Sequence, residues 1–584
     1  MIQLIAIPAD TSTDFRDRFR TRTVLASALL GTILLGAWSD GAYHDDDLTH
    51  FLMARWAAVF PGYLLNIWGR PGFTIPAAAV AWIGSPETGW HAVRVLSALV
   101  TAASALLAAR TARRLGIAPG WLVVLICYVQ PLNTVLAATS LTENFAALYL
   151  MAAVYLLLGG RAVTASAVFS LVLVSRHETV ALVPVWWLGI WIAGGSVGRR
   201  GLALAASIAA PALHNVVFFV AYRAWPFQLF LAPSGSTQYP PTGPFAYLPH
   251  LFVAVPFAIA TFALLGVRRV ATARFMDSTV AATTHPNGGE AMPRAWIIPA
   301  LAATFVMIHI VVMAAGVFAS GGYARFMVTI APLMAILAAA GMSSSARAVT
   351  SPASGAPPWL SFAGMTALAW LAVEIEFRAG RLGIRDGRFL VLVRVFAGAT
   401  LVLMIAGAFL RHGAARHALS RIAMVWLIAL VLVQNAAMIR PLRLNDPARA
   451  VARLVDWIRT RGLNDRPIFA TNSWFAYFFD WAEDPRAHKG RRLVASMPVG
   501  TLVIWDSIYS ASDYHRLPLE LFDHNPAYHR LHEMTSAGTR PIQLIVFEKV
   551  AETPVPSEPD VSYPPNLANQ QDETLGRYYR HERS

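Results

Sequence analysis

The sequence predicts an α-helical polytopic membrane protein, with about 13 transmembrane helices and a small C-terminal α/β domain. Of its 584 residues, 56% are hydrophobic and only 14% are charged, whereas a soluble globular chain has about 25% charged residues. Apolar runs of spanning length recur along most of the chain, with arginines at their ends. Short β-type runs alternating with helical patterns appear only after residue 440.

The N-terminal segment is basic and precedes the first apolar run. Residues 13–22 read TDFRDRFRTR, and no small-residue cleavage site follows the run. We therefore predict a signal anchor with residues 1–22 in the cytoplasm. The net charge of +14 comes mostly from arginines beside apolar runs, which indicates the positive-inside pattern rather than nucleic-acid binding. The single cysteine, Cys127, excludes an intrachain disulfide and a cysteine metal cluster.

Residues 23–440 are predicted to form the transmembrane domain. The predicted spans are residues 24–38, 91–109, 121–138, 144–158, 163–174, 180–193, 202–220, 248–267, 295–318, 327–340, 359–372, 389–410 and 422–438. The first outer loop, 39–90, is too polar to span, and its apolar stretch 75–83 is short enough for an interfacial helix. An odd number of spans places the C-terminal domain outside the cell. The arginine-rich loop 374–388 also falls outside on this count, against the positive-inside pattern.

Residues 441–552 are predicted to form the extracytoplasmic α/β domain. A helical pattern covers 447–461, and β-type runs cover 467–470, 501–505 and 542–547. The tail 553–584 is rich in proline and charge, which predicts a flexible segment. Several aromatic residues of the domain suit either carbohydrate stacking or core packing, and packing is the favoured interpretation. They are Trp474, Tyr477, Trp481, Trp505 and Tyr509.

The first outer loop contains three consecutive carboxylates, Asp45, Asp46 and Asp47. Their mutual repulsion raises the pKa of at least one of them unless a cation or hydrogen bonds compensate. One of the three could act as a general base, or together they could hold a divalent metal such as Mg²⁺ or Mn²⁺. The alternative is an acidic turn that caps a helix, and the run alone favours it.

Further ionisable residues lie near the predicted outer ends of the spans. They are Arg70, Arg94, Glu143, Arg176, His177, Glu178 and Arg325, with Tyr323 beside the last. Ionised groups at this depth are costly unless they pair or line a wet cavity, so their clustering predicts a polar cavity that opens outward. The alternatives are a structural Arg94–Glu143 bridge, a packing role for His177, and contacts of Arg70 and Arg325 with lipid headgroups.

Four motifs in order along the chain resemble the GT-C membrane glycosyltransferases. After the acidic loop come residues 94–99 (RVLSAL), 140–143 (SLTE), 175–178 (SRHE) and 322–326 (GYARF). The resemblance covers roughly residues 20–345 and includes protein O-mannosyltransferases, aminoarabinose lipid A transferases and dolichol-linked mannosyltransferases. The departures are a triple aspartate in place of an acidic pair, and His177 where proline or tyrosine is common.

The resemblance implies an inverting transfer of a sugar from a polyprenyl-phosphate donor to a glycan, lipid or protein acceptor on the non-cytoplasmic face. An aspartate of 45–47 would be the base, and a metal there stays open because some members work without one. Separately from the resemblance, the short loops and arginine-rich composition favour a bacterial inner membrane. The residues that would bind donor phosphate and sugar are Arg70, Arg94, Glu143, Arg176, His177, Glu178, Tyr323 and Arg325.

Three other functions are compatible with parts of this pattern. A transporter or flippase for a lipid-linked glycan predicts symmetry between halves and ionisable residues on both sides of the bilayer, and neither is clear. A ligase for a whole glycan is separated from a glycosyltransferase only by a substrate assay. A membrane scaffold leaves the cluster of charges near the outer face unexplained.

Overall fold

The structure is a computed structural model of the chain. It describes residues 11–223, 225–226, 247–273, 295–315, 323–350, 431–484, 489–512, 515–538 and 541–556, with isolated positions between 395 and 429. Several predicted segments lie wholly or largely outside these residues. They are the spans 359–372 and 389–410, the loop 374–388 and the tail 553–584. The span 422–438 is described over its last eight residues, which are helical.

Helices form the described part of the chain up to residue 350. The α-helices are α1 (Thr11–Ala37), α2 (Asp45–Trp56), α3 (Pro71–Ala81), α4 (Pro86–Arg114), α5 (Gly120–Tyr128), α6 (Pro131–Leu136), α7 (Glu143–Leu158), α8 (Ala162–Ser175), α9 (Val183–Ala193), α10 (Val197–Ala206), α11 (Ala209–Tyr222), α12 (Leu248–Ala254), α13 (Phe257–Thr272), α14 (Ile297–Ala315) and α15 (Ala331–Thr350). Short 3₁₀ helices cover Pro61–Leu65, His177–Leu182 and Ala324–Ile330.

Among the described residues, three helical segments are long and apolar enough to cross a membrane. They are Pro86–Arg114, Ile297–Ala315 and Ala324–Ser343, and the bent pair α10–α11 would add a fourth. Segments of this length and hydropathy, in a chain with so few charges, identify an integral membrane protein. The predicted count of about 13 spans is not established by these segments.

Several predicted spans are interrupted helices, which corrects the sequence interpretation. The run 121–138 divides into α5 and α6 at Pro131, because proline lacks the N–H that would continue the helix. Side chains satisfy carbonyls at this break: Asn133 Nδ2 donates to Cys127 O at 2.9 Å, and Thr134 Oγ1 donates to Tyr128 O at 2.6 Å. Such compensation makes a break tolerable in an apolar surrounding.

The same correction applies to four later runs. Residues 180–193 begin within the 3₁₀ helix His177–Leu182 and continue as α9. Residues 202–220 divide into α10 and α11, which are bent by 48°. Residues 248–267 are interrupted at Pro256 between α12 and α13. Residues 327–340 begin within the 3₁₀ helix Ala324–Ile330 and continue as α15. An apolar run indicates that a segment lies in an apolar environment, but it does not show whether the segment is one unbroken helix. These interruptions were therefore not predicted.

The first loop is folded between the helices rather than extended. Its α2 and α3 contain 12 and 11 residues, too few to span a bilayer. The expected short helix at 75–83 is confirmed, but it begins four positions earlier, at Pro71, where proline favours the first helical turn. Helix α3 packs on α2, α4 and α8, so the loop joins the helical bundle.

The C-terminal domain contains a four-stranded mixed sheet with α16 (Asp446–Thr460) beside it. The strands are β1 (Ile468–Ala470), β2 (Leu502–Asp506), β3 (Tyr528–Thr535) and β4 (Gln543–Lys549), in the order β1-β2-β4-β3. Strand β1 is parallel to β2, and the other pairs are antiparallel. The short helices are α17 (Ser473–Phe479), α18 (Arg491–Ser496) and α19 (Glu520–Asp523).

Three of the four strands and α16 agree with the sequence prediction, whereas β3 was missed. Strand β3 lies at the edge of the sheet and reads YHRLHEMT, with largely accessible side chains. It therefore lacks the apolar run by which buried strands are recognised.

One hydrophobic core joins the first loop to the C-terminal domain. Trp90 of α4 contacts Trp474 and Tyr477, with ring centroids 6.0 and 5.3 Å apart, and Phe51 of α2 lies 6.3 Å from Tyr477. The packing interpretation of these aromatic residues is therefore confirmed. Trp505 is also buried, and its indole N–H donates to Leu517 O.

Arg55 fastens this interface, and its removal is expected to loosen the C-terminal domain. Its Nε and Nη2 each donate to the Asp480 carboxylate at 3.0 Å, and it also donates to Ala81 O and Gly84 O. Arg55→Ala should lower stability by about 1–3 kcal/mol, measured by thermal unfolding in detergent. Arg453→Ala, at an exposed position of α16, is the control. Equal melting temperatures for the two variants would contradict a fastening role for Arg55.

Candidate active site

The aspartate triplet forms the first turn of α2, where carboxylates interact favourably with the helix dipole. The alternative interpretation is correct in placing the aspartates at a helix N-terminus, but the N-cap residue is His44, and its side chain makes no cap hydrogen bond. The three side chains nevertheless have different partners, so they do not act as one solvated acidic patch. Each aspartate has one partner in a distant part of the chain: Tyr509 for Asp45, Arg325 for Asp46 and Ser140 for Asp47. This turn is therefore a junction of the fold.

Asp46 pairs with Arg325, at the start of the 3₁₀ helix that leads into α15. His44 Nδ1 lies 3.7 Å from the same carboxylate. Burial by itself would raise the pKa of Asp46, but the charge and hydrogen bond of Arg325 hold the pKa below its ordinary value. About 18% of the Asp46 side chain is exposed, so an ionised carboxylate remains accessible.

Asp47 is completely buried and is held by the backbone. Its Oδ1 accepts from Ser140 N at 2.7 Å, and its Oδ2 accepts from Tyr43 N at 3.0 Å. Burial raises the pKa of Asp47 despite these bonds and the nearby charge of Arg94. These contacts join α2 to the segment before α7, so Asp47 has the geometry of a structural link.

Asp45 is exposed and accepts a hydrogen bond from the hydroxyl of Tyr509 in the C-terminal domain. Burial and the neighbouring carboxylate raise the pKa of Tyr509, so its hydroxyl stays protonated as the donor. The two residues are 464 positions apart in the sequence.

A chain of alternating charges runs inward from Asp46. Arg325 Nε lies 3.2 Å from Glu143 Oε1, and Arg176 Nη1 donates to the same oxygen at 2.9 Å. Arg176 Nε then donates to Glu178 at 2.6 Å. Glu143 is fully buried, and the side chains of both arginines are only 5% exposed. Buried charges are tolerated when they are paired in this way.

Aromatic rings pack against the two arginines of the charge chain. The guanidinium carbon of Arg176 lies 4.1 Å from the centroid of Phe326, and that of Arg325 lies 4.9 Å from Tyr323. The negative faces of aromatic rings stabilise cations in a partly desolvated place. Tyr323 in turn packs edge-on against His44, which ties it to the α2 turn.

Arg70 lies close enough to the row of alternating charges for those charges to change its pKa. Burial, and then the like charge of Arg176, lower the pKa of Arg70 to about 10, while Glu178, Glu143 and Asp46 raise it. Its Nη1 is inaccessible and has no hydrogen-bond partner within the described structure. Arg70 also has a left-handed backbone conformation, with φ of 63°.

Two residues predicted for the site are placed differently. Arg94 donates to Ser39 O and Gly41 O and lies over the Trp90 ring, so it fastens the end of α1. The Arg94–Glu143 bridge considered from the sequence is replaced by the Glu143 pairs with Arg176 and Arg325. His177 contacts the carbonyl of Ile67 at 3.2 Å, which orients the first loop beside the charge chain.

Sequence reasoning missed several polar residues of the site. His309 of α14 is buried within 5.7 Å of the Phe326 ring centroid, and Tyr247 packs against it. His50 follows Asp46 by one helical turn, and burial lowers its pKa to about 3, which keeps it neutral. The spacing of Asp46 and His50 on one face of α2 was the available signal.

Unpartnered buried polar atoms mark a place for a polar ligand. Within the described residues they include Arg70 Nη1, Arg325 Nη1, Glu143 Oε2, His50 Nδ1 and His309 Nε2. Buried polar groups are nearly always hydrogen-bonded, to protein, water or ligand. Donors predominate on the two arginines, so the complementary ligand is an anion.

The triplet does not fit the metal site considered from the sequence. Asp45, Asp46 and Asp47 turn to three separate partners rather than to one point. The described part of the chain contains no group of three or more His, Cys, Asp or Glu side chains that could hold a metal ion.

Comparison with solved structures identifies the fold. The chain resembles ArnT from Cupriavidus metallidurans, both bound to undecaprenyl phosphate (TM-score 0.50) and in the apo state (TM-score 0.53). Each alignment has 12% sequence identity and covers 91% of this chain and 98% of ArnT. No family model and no curated protein matches the sequence. The likeness confirms the predicted GT-C fold.

Proposed function

We propose that this chain, which has the GT-C fold, transfers a sugar from a polyprenyl-phosphate donor to an acceptor hydroxyl on the non-cytoplasmic face of the membrane. The observation that carries the proposal is the alternating charge chain from Asp46 to Glu178, with an accessible carboxylate at one end and unpartnered guanidinium donors beside it. A base and an anion site side by side suit a reaction that removes a proton and releases a phosphate.

Asp46 is the base in this mechanism. The acceptor oxygen attacks the anomeric carbon, and the bond from that carbon to the phosphate oxygen breaks. The hydroxyl becomes strongly acidic as its oxygen bonds to carbon, so even a carboxylate of low pKa can take its proton. Asp47 is completely buried and bonded to backbone N–H groups, and Asp45 is bonded to Tyr509 outside the charge chain. Asp46 is partly exposed and pairs with Arg325, which supports it over its neighbours.

Arg70 and Arg325 stabilise the leaving polyprenyl phosphate, which departs with the electrons of the broken bond. Each has a buried Nη1 without a hydrogen-bond partner in the described structure. A guanidinium donates two parallel hydrogen bonds to phosphate oxygens, and a dry site strengthens them. Glu143 and Asp46 keep Arg325 in place, and Arg176 with Glu178 extends the support. Direct displacement predicts inversion at the anomeric carbon.

Two features support a lipid-linked donor at this site. The charge chain lies among apolar helices, where a prenyl chain could pack between them, and the ArnT structure of the same fold was solved with undecaprenyl phosphate. The residues of the charge chain come from α2, the start of α7, the segment after α8 and the 3₁₀ helix that precedes α15. Their gathering at one set of helix ends favours a one-sided transferase over a flippase.

The proposal is tested with the purified full chain in nanodiscs. The donors are undecaprenyl-phosphate-linked pentoses and hexoses and, in parallel, an undecaprenyl-linked oligosaccharide. The acceptors are lipid A, a soluble oligosaccharide and a serine-containing peptide. The expected result is an acceptor heavier by one sugar, with inverted anomeric configuration and release of undecaprenyl phosphate. Transfer of a whole glycan would indicate a ligase, and translocation without transfer would indicate a flippase; either would refute the proposal.

A further inference from the structure

The hydrogen bond from Tyr509 to Asp45 brings the C-terminal domain to the mouth of the candidate site. Asp45 directly precedes Asp46 on α2, and the charge of Asp46 also acts on the Tyr509 hydroxyl. Among the aromatic residues predicted as carbohydrate-stacking candidates, Trp474, Tyr477 and Trp505 have packing roles. Tyr509 differs from them because its hydroxyl donates to Asp45, at the edge of the candidate site.

A buried polar turn holds Tyr509 in this position. Asp506 Oδ1 accepts from the N–H groups of Ile508 and Tyr509 at 3.0 and 2.6 Å. Its Oδ2 accepts from the hydroxyls of Thr471 and Ser510 at 2.8 and 3.1 Å. Asp506 is completely buried, so the turn has a rigid base, and the direction of Tyr509 is fixed by the fold.

This turn lies at the carboxyl ends of the parallel strands β1 and β2. Strand β1 ends at Ala470 and β2 ends at Asp506, and the two are paired in parallel. Ligands commonly bind at the carboxyl ends of parallel strands, where loops diverge. Asn472 follows β1 at this edge, and its buried Nδ2 has no hydrogen-bond partner within the described residues.

We infer that Tyr509 is an acceptor-binding residue, supplied to the site by the C-terminal domain. This inference rests on the proposed function and names one residue that would bind the acceptor. Tyr509 donates its one O–H to Asp45, so its phenolic oxygen and the Asp45 carboxylate are both left as hydrogen-bond acceptors for the hydroxyl groups of a hydroxyl-rich acceptor.

The accessibility of the residues assigns Tyr509 to the acceptor rather than to the donor. Asp45 is exposed, whereas Arg325 and Arg176 are only 5% exposed and lie among the helices. A lipid-linked donor reaches the site from the membrane, so its phosphate belongs at the inner, guanidinium end. The open end beside Asp46 is then left for the acceptor, whose attacking hydroxyl must reach that carboxylate.

The test compares Tyr509→Phe with Tyr528→Phe, which removes a hydroxyl from a ring packed on Phe522 elsewhere in the same domain. Tyr509→Phe should raise the acceptor KM about tenfold, with kcat and the Kd for undecaprenyl phosphate unchanged. Tyr528→Phe should change none of these values. Asp45→Asn should also raise the acceptor KM. The acceptor KM of the double variant should be no higher than that of the single variant with the higher KM.

Three outcomes separate this inference from the proposed function. An unchanged acceptor KM for Tyr509→Phe, with transfer intact, overturns the inference alone. A parallel rise in the Kd for undecaprenyl phosphate also overturns it, because the residue would then act on the donor side. Failure of the unaltered protein to transfer any sugar, although undecaprenyl phosphate binds, overturns the proposed function and the inference with it.

Discussion

Asp46→Asn is expected to reduce sugar transfer by about 10²–10⁴-fold, the usual contribution of a positioned base. The amide keeps the size of the side chain and can still accept a hydrogen bond from Arg325, but it cannot take the acceptor proton. The measurement is kcat for transfer from an undecaprenyl-phosphate-linked sugar, with the yield and melting temperature of the variant recorded in parallel.

Two neighbouring substitutions serve as comparisons for Asp46→Asn. Asp40→Asn, at an exposed position of the same loop, should leave kcat unchanged. Asp47→Asn should lower the yield of folded protein, because an amide cannot accept both backbone hydrogen bonds. Near-normal kcat in Asp46→Asn would refute the base assignment, whatever the other two variants show.

Arg70→Gln is expected to reduce kcat/KM for the donor by about 10²–10³-fold, the range for loss of one transition-state donor. Its Nη1 makes no hydrogen bond within the described structure, so the substitution removes a donor that the described protein groups do not use. The left-handed backbone at Arg70 costs of order 1 kcal/mol or more for a non-glycine residue, and such strain persists mainly at functional sites.

The control for Arg70→Gln is Arg223→Gln, the same substitution at another arginine with a left-handed backbone, exposed at the end of α11. The control should retain full activity. If both variants had equal activity, Arg70 would have no role in stabilising the leaving phosphate, and Arg325 alone would remain for that task.

The sequence allowed the members of the site to be predicted better than their pairings. Glu143, Arg176, Glu178 and Arg325 were grouped because each lies at the outer end of a predicted span, and one buried ion-pair chain joins them. Which acid meets which base depends on helix rotation and tilt, and an unaligned sequence does not encode these visibly. For this reason Arg94 was assigned to the site, although it donates to backbone carbonyls.

Contacts across the two domains were beyond sequence reasoning. Tyr509 reaches Asp45 only because the C-terminal domain docks on α2 and α4 through Trp90, Trp474 and Tyr477. Nothing in the local pattern around Tyr509 indicates that docking.

His309 was missed because a lone histidine in an apolar helix is more often a packed residue than a ligand.

The central claim is that Asp46, Arg70 and Arg325 line one pocket that binds the phosphate of a polyprenyl lipid. The most direct measurement is a cryo-electron microscopy structure of the full chain in nanodiscs with undecaprenyl phosphate. We expect the phosphate within hydrogen-bonding distance of the Arg70 and Arg325 guanidinium groups, with the Asp46 carboxylate facing the same space. A phosphate bound elsewhere, with Arg70 turned to bulk lipid or water, would contradict the account.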